Sequence, residues 1–223
     1  MNQNYSTAAQ GSSSAIATNK VLRSTYMLLS LTLLFSGLTA ALSMFMNMPP
    51  MTYMISVIGG MVIAMFVLPR FANSSAGIGI VFLITGMLGF GLGPILSMYA
   101  SLPNGGNIIM LSLGGTGVIF MGLSAYALAT RKDFSFMGGF LMVGFLLVLL
   151  AALANIFLQI PAMSLMISAV VIMIMSGFIL YDTSRIIHGG ETNYVLATIG
   201  LYMTIFNIFI SLLHILGIMG NDD

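Results

Sequence analysis

Few side chains in this chain can do chemistry. Its 223 residues hold six Lys/Arg, five Asp/Glu, two His and no Cys. Without cysteine there is no disulfide framework, no thiolate zinc site and no cysteine nucleophile. The two histidines, His188 and His214, fall in different parts of the chain, and once the apolar segments are placed they lie on opposite membrane faces, so they cannot share a metal. A serine hydroxyl is inert without a base. The only triplet of interest, Gly122-Leu123-Ser124, lies far in depth from His214. An intramembrane aspartyl site needs two carboxylates sharing a proton. Tyr181-Asp182 offers one half, but Asp133, Asp222 and Asp223 sit in a loop and a tail, so no second half exists. No enzyme, no cofactor and no metal centre is expected.

Asp182 is the most informative of the remaining groups. It closes an apolar segment and is followed by Arg185 and His188. Two readings are open. An i,i+3 pair with Arg185 would satisfy both charges locally. Alternatively Asp182 points into the bundle and pairs with a cation on another helix, for which Arg70 is placed on the same membrane face. An ionisable group inside a membrane is by default a functional candidate.

These groups are positioned by elements that composition already identifies. The chain is 59% hydrophobic and 5% charged, with mean hydropathy +1.08, whereas a soluble domain carries roughly 25% charged residues. That excludes a soluble enzyme, a nucleic-acid binder working through a basic patch, and a disordered regulator. A membrane helix needs about 20 apolar residues, and seven such runs stand out: 26–47, 51–69, 77–101, 107–129, 136–158, 162–181 and 194–218. Pro49-Pro50, Pro69-Arg70 with Asn73-Ser74-Ser75, Pro103-Asn104-Gly105-Gly106, Arg131-Lys132-Asp133, Pro161 and His188-Gly189-Gly190-Glu191 separate them. The runs lack the period-2 alternation of barrel strands. The expectation is an all-α seven-transmembrane helix bundle in the lipid bilayer.

Lys20, Arg23, Arg70, Arg131, Lys132 and Arg185 all fall on one side of that arrangement. By the positive-inside rule the N-terminus is then cytoplasmic and Asp222-Asp223 lies outside. Residues 1–19 read as a polar, disordered cytoplasmic tail, 20–218 as the membrane domain and 219–223 as a short external tail. The first apolar run is about twice the length of a signal-peptide core of 7–15 residues, so it reads as a retained span. Tyrosines at 26, 53, 99, 126, 181 and 194 lie near segment ends, where aromatic belts form. Gly86, Gly89 and Gly93 in the third segment, with Gly114 and Gly115 in the fourth, suit close helix packing. Pro94 beside Gly93 opens a second reading, a kinked or unwound helix. The 21 Met read as lipid-facing and gap-filling side chains.

The stretch Ser124-Ala125-Tyr126 … Thr130-Arg131-Lys132-Asp133-Phe134-Ser135-Phe136, then Gly138-Gly139, resembles the fourth-to-fifth span junction of the Bax inhibitor-1 superfamily. Asn155-Ile156-Phe157, Leu180-Tyr181-Asp182 and Leu201-Tyr202 … Asn207-Ile208-Phe209 continue the resemblance in order. Lys20-Val21-Leu22-Arg23, Leu92-Gly93-Pro94-Ile95-Leu96 and Ile186-Ile187-His188-Gly189-Gly190-Glu191-Thr192-Asn193-Tyr194 bring it closer to the bacterial YccA branch. It covers residues 20–218. The resemblance implies a bundle whose last helix is enclosed by the other six, in a bacterial inner membrane. It also implies a modulator, both inhibitor and substrate, of FtsH, the membrane-anchored ATP-dependent protease. The alternative it implies is a pH-sensitive calcium leak, in which an Asp ending span 6 pairs with an Asp in span 7 near an Arg after span 2. Asp182 matches the first Asp and Arg70 the Arg. The second Asp position is Thr204, with Asn207 one turn on, so a shared-proton carboxylate pair cannot form.

Overall fold

A computed structural model of the chain describes residues 4–220, with side chains from Thr18 onward; residues 1–3 and 221–223, and with them Asp222 and Asp223, lie outside the described residues. Among the described residues seven helices are long and apolar enough to cross a membrane: α1 (Asn4–Phe45, its apolar part Thr18–Phe45), α2 (Met51–Phe71), α3 (Ser75–Ala100), α4 (Gly105–Thr130), α5 (Gly138–Leu158, after a 3₁₀ turn Ser135–Met137), α6 (Pro161–Ile187) and α7 (Tyr194–Met219). Five of the seven apolar runs match their helices to within a few residues at each end; the first and the sixth helices reach farther.

α1 differs from expectation at its start. It begins at Asn4, inside the segment read as a disordered tail. Asn4–Asn19 contains no proline, and a helix already nucleated extends at one hydrogen bond per added residue. α2 does not end at Pro69 but runs on to Phe71. Pro69 lacks an N–H and its ring would strike the carbonyl four residues back. The helix accommodates it with a π-turn over Ile63–Val67, in which the Leu68 N–H bonds Ile63 O. α6 likewise continues to Ile187, past the expected end at 181, because Thr183, Ser184 and Ile186 are buried against neighbours. Asp182 therefore does not close its helix; more than a turn follows it.

α7 is the central helix. In its most apolar stretch 67% of residues are buried, against 6% for α5. Its immediate shell is α1, α3, α4 and α6, with α2 packed on α3 and α5 on α6. The enclosing helices are thus chiefly four rather than six. Large apolar side chains such as Phe140, Leu147 and Phe157 on α5 stay exposed, as a bilayer-facing surface requires.

Helix α3 owes its place to its glycines. A Cβ on Gly86 would stand 2.6 Å from Phe35 of α1, and one on Gly91 2.6 Å from Ser56 of α2. Gly89 meets Ser36, and Gly93 meets Ser43, at still closer range. At each of these positions α3 approaches a neighbouring helix closely, and it runs unbroken through Pro94 without unwinding. Gly114 differs: it faces open space, and a Cβ on Gly115 would meet only Leu212, at 3.2 Å. The fourth-segment glycines are not a tight packing stripe, because α4 presents Gly114 to the outside of the bundle.

Candidate functional site

One end of the bundle gathers the charged residues. There the α4–α5 loop is clamped to α6. The Phe134 N–H donates to Ser184 Oγ at 2.9 Å, and Ser184 Oγ donates to Lys132 O at 3.3 Å. His188 Nδ1 donates to the Ser184 carbonyl at 2.9 Å, which assigns the proton to Nδ1. Asp133 accepts from the Ser135 N–H at 2.8 Å. Hydrogen bonds from the Ser135 hydroxyl and backbone, with His188 nearby, hold the exposed Asp133 carboxyl below its ordinary range.

The entry to α7 is equally well built. Asn193 caps the helix, accepting from the N–H groups of Val195 (2.9 Å) and Leu196 (3.2 Å). Its amide donates to Ala72 O (3.0 Å) and to Asn73 Oδ1 (2.8 Å), tying α7 to the end of α2. Glu191 accepts from the Asn193 N–H at 2.9 Å and pairs with Arg185 at 3.5 Å. Gly189 supplies the positive φ of +75° that ends α6. An Asn directly before an apolar run is a cap signal, and it was open to sequence reasoning.

Neither expected partner of Asp182 is in place. Arg185 turns to Glu191, to the Gly190 carbonyl (3.1 Å) and over the Tyr181 ring (5.5 Å). Arg70 is exposed at the end of α2, and among the described residues no carboxylate comes within 4.0 Å of it. Both proposed ion pairs are corrections: Arg185 has a nearer acid across its own loop, and Arg70 faces outward. The half-buried Asp182 instead faces α7, where a Cβ on Gly200 would stand 3.5 Å from its Oδ2. Thr204 is buried and donates to the Gly200 carbonyl at 3.1 Å; Asn207 donates to the Met203 carbonyl at 2.8 Å. The structure thus brings Asp182 to the α7 turn that carries Thr204 but keeps the Thr204 and Asn207 side chains bonded to their own helix backbone.

Two hydroxyl arrangements escaped the sequence reading. Tyr202, fully buried on α7, donates to the Thr85 carbonyl (3.3 Å) and accepts from Ser36 Oγ (2.6 Å), joining α7, α3 and α1. At the other end, Ser168 donates to Ser164 O (3.1 Å) and is met by His214 Nδ1 at 2.9 Å. With the serine proton spent, His214 is the donor there, the reverse of a general base. Ser124 and His214 are not brought together, and Ser124 Oγ is buried without a hydrogen-bond partner among the described residues. No periodicity marks such pairs, since each depends on which helices become neighbours.

Comparisons with known proteins place this architecture. The chain is 52% identical over 209 residues, 94% of each chain, to the modulator of FtsH protease YccA of Escherichia coli strain K12. It is identical to the same extent to the inner membrane protein YccA of E. coli O6:H1. An uncharacterized membrane protein of Vibrio cholerae is 48% identical over 208 residues, 93% of each chain. The family described as inhibitor of apoptosis-promoting Bax1 matches residues 18–221, and the chain belongs to this Bax inhibitor-1 family.

Proposed function

We propose that this chain is an inner-membrane modulator of the ATP-dependent protease FtsH. The observation that carries the reading is identity of 52% across 94% of both chains with a protein named for that role. In the proposed orientation the charged end, with Lys20, Arg23, Arg70, Arg131, Lys132 and Arg185, faces the cytoplasm and the C-terminus the periplasm. The spans bind the protease within the bilayer, and no chemistry of the chain's own is required. The polar start of α1 serves as the segment that the protease grips. From Asn4 to Ala17 a helix would reach about 21 Å beyond the apolar part. Affinity purification of the tagged chain from membranes tests the partnership: FtsH should co-purify, and degradation of a reporter substrate should slow as the chain is overproduced. Recovery without FtsH, and unchanged degradation, would overturn it. Deleting residues 2–17 should lengthen the chain's lifetime in a pulse-chase only when FtsH is active.

A second reading, an ion leak through the bundle, draws on Asp182, which faces Gly200 with no cation within 4.0 Å among the described residues. Thr204 in place of a second acid weighs against it. Calcium flux into vesicles containing the purified chain separates the two readings.

A further inference from the structure

A cavity of about 410 Å³ opens in the half of the bundle away from the basic residues, between α1, α3, α4 and the central α7. It runs from Tyr202 and Phe120 at mid-depth to Met44, Leu96 and Ile109 near the end away from the basic residues. Helices α1 and α4 form its two sides yet make no extended contact with each other, so it opens sideways, toward lipid. Gly37 on α1 and Gly117 on α4 lie at the two sides. A Cβ on Gly37 would meet nothing within 4 Å, and one on Gly117 only Met121 of its own helix, at 4.0 Å.

The wall contains no charged residue. The protons of its three hydroxyls are already committed: Ser36 to Tyr202, Tyr202 to the Thr85 carbonyl, and Thr116 to the Ser112 carbonyl at 2.7 Å. A water needs two to four polar partners, and an apolar cavity of about 150 Å³ stays dry and takes up hydrocarbon. An ion would find no charged ligand there, only three neutral hydroxyl oxygens in an apolar wall. A partner's transmembrane helix, about 10–12 Å across with its side chains, is too thick to enter a space of this volume. A single hydrocarbon chain is thin enough, and at this depth it is the surrounding medium.

We propose that this cavity is a lipid site, occupied by one acyl chain of a phospholipid from the leaflet opposite the basic end of the bundle. The chain enters between α1 and α4 and ends against Tyr202 and Phe206 of the central helix. There it fills space that would otherwise be void and holds the two flanking helices apart. The proposal is independent of the protease partnership.

The test uses the full chain in nanodiscs of phosphatidylethanolamine and phosphatidylglycerol, doped with a phospholipid carrying a diazirine near its acyl terminus. After illumination, labelled residues are mapped by mass spectrometry. The wild type should be labelled on the Tyr202–Phe209 stretch of α7, which is otherwise shielded from lipid. Gly37→Phe and Gly117→Phe add a ring at the cavity wall, where a Cβ meets no backbone of another helix within 4 Å, and either should reduce that labelling by about tenfold or more. Gly114→Phe, which faces open space outside the cavity, should leave it unchanged. Should one filling variant not fold, as judged by gel filtration, the other still decides. Labelling of Tyr202–Phe209 that persists in a folded filling variant would overturn the proposal. So would labelling confined to α2, α5 and the other outward surfaces, or a co-purifying protein cross-linked at Tyr202–Phe209 in place of lipid.

Discussion

Asp182 tests how an acid can sit within a helical bundle without a salt bridge. Removing one partner of a buried ion pair costs about 3–5 kcal/mol, because the other charge is stranded. Here no cation stands within 4.0 Å among the described residues, so Asp182→Asn strands nothing and relieves the burial of a charge. The expected result is a melting temperature in detergent equal to or above that of the parent. Clear destabilisation would show that a cation depends on Asp182. Tyr202 is the opposite case, since its hydroxyl joins three helices through Ser36 and Thr85. Tyr202→Phe removes both bonds and should cost about 0.6–2 kcal/mol, the range measured for interhelical hydrogen bonds in membranes. Equilibrium unfolding in mixed micelles reads this directly, and the shape-conserving change leaves the ring packing against Phe206 in place.

At the scale of elements, the entry to α7 and the α1–α3 contact decide stability. Asn193→Ala removes a helix cap worth about 0.5–2 kcal/mol and also frees α7 from Ala72 and Asn73. The loss should therefore fall at the upper end of that range, with proteolytic nicking appearing first between Ile187 and Tyr194. Glu191→Gln should cost less, about 0–1 kcal/mol, because its pair with Arg185 is partly exposed. The glycines make a sharper comparison. Gly89→Val drives a side chain into the backbone of Ser36, whereas Gly114→Val meets open space. Overpacking costs typically 1–3 kcal/mol, so Gly89→Val should lower the melting temperature or abolish the folded protein while Gly114→Val leaves it nearly unchanged. Similar losses for both would mean that α1 and α3 do not approach as closely as described.

For the whole molecule, the charge distribution makes the strongest statement. The loops at one end are tied together by Ser184 to the 132–134 loop and by Asn193 to Ala72 and Asn73, and all six basic residues belong to that end. The expected orientation puts it in the cytoplasm. A reporter enzyme fused after Met219 should then read as external and one inserted after Asp133 as cytoplasmic. The same sidedness for both would refute three spans between these two points, and with them the seven-span arrangement.

Composition and the placement of breakers determined a great deal: seven apolar helices and an arrangement that puts every cation at one end. These follow from local physics, since a bilayer admits only helices or closed barrels and the length of a span is set by its thickness. The order of motifs carried the family. Helix ends were legible where Pro, Gly and polar clusters stand between runs. They were misplaced at Pro69 and after Tyr181, where a π-turn and a buried face kept the helix going. What only the tertiary structure decided is which side chains meet. Arg185 chooses Glu191 over Asp182 because the chain turns back at Gly189, and Tyr202 finds Ser36 because glycines let α1 and α3 close up around α7. The cavity exists because α1 and α4 are held apart. A linear sequence records the polarity of each such residue but not its neighbour, since contacts between distant segments arise only when the helices are packed.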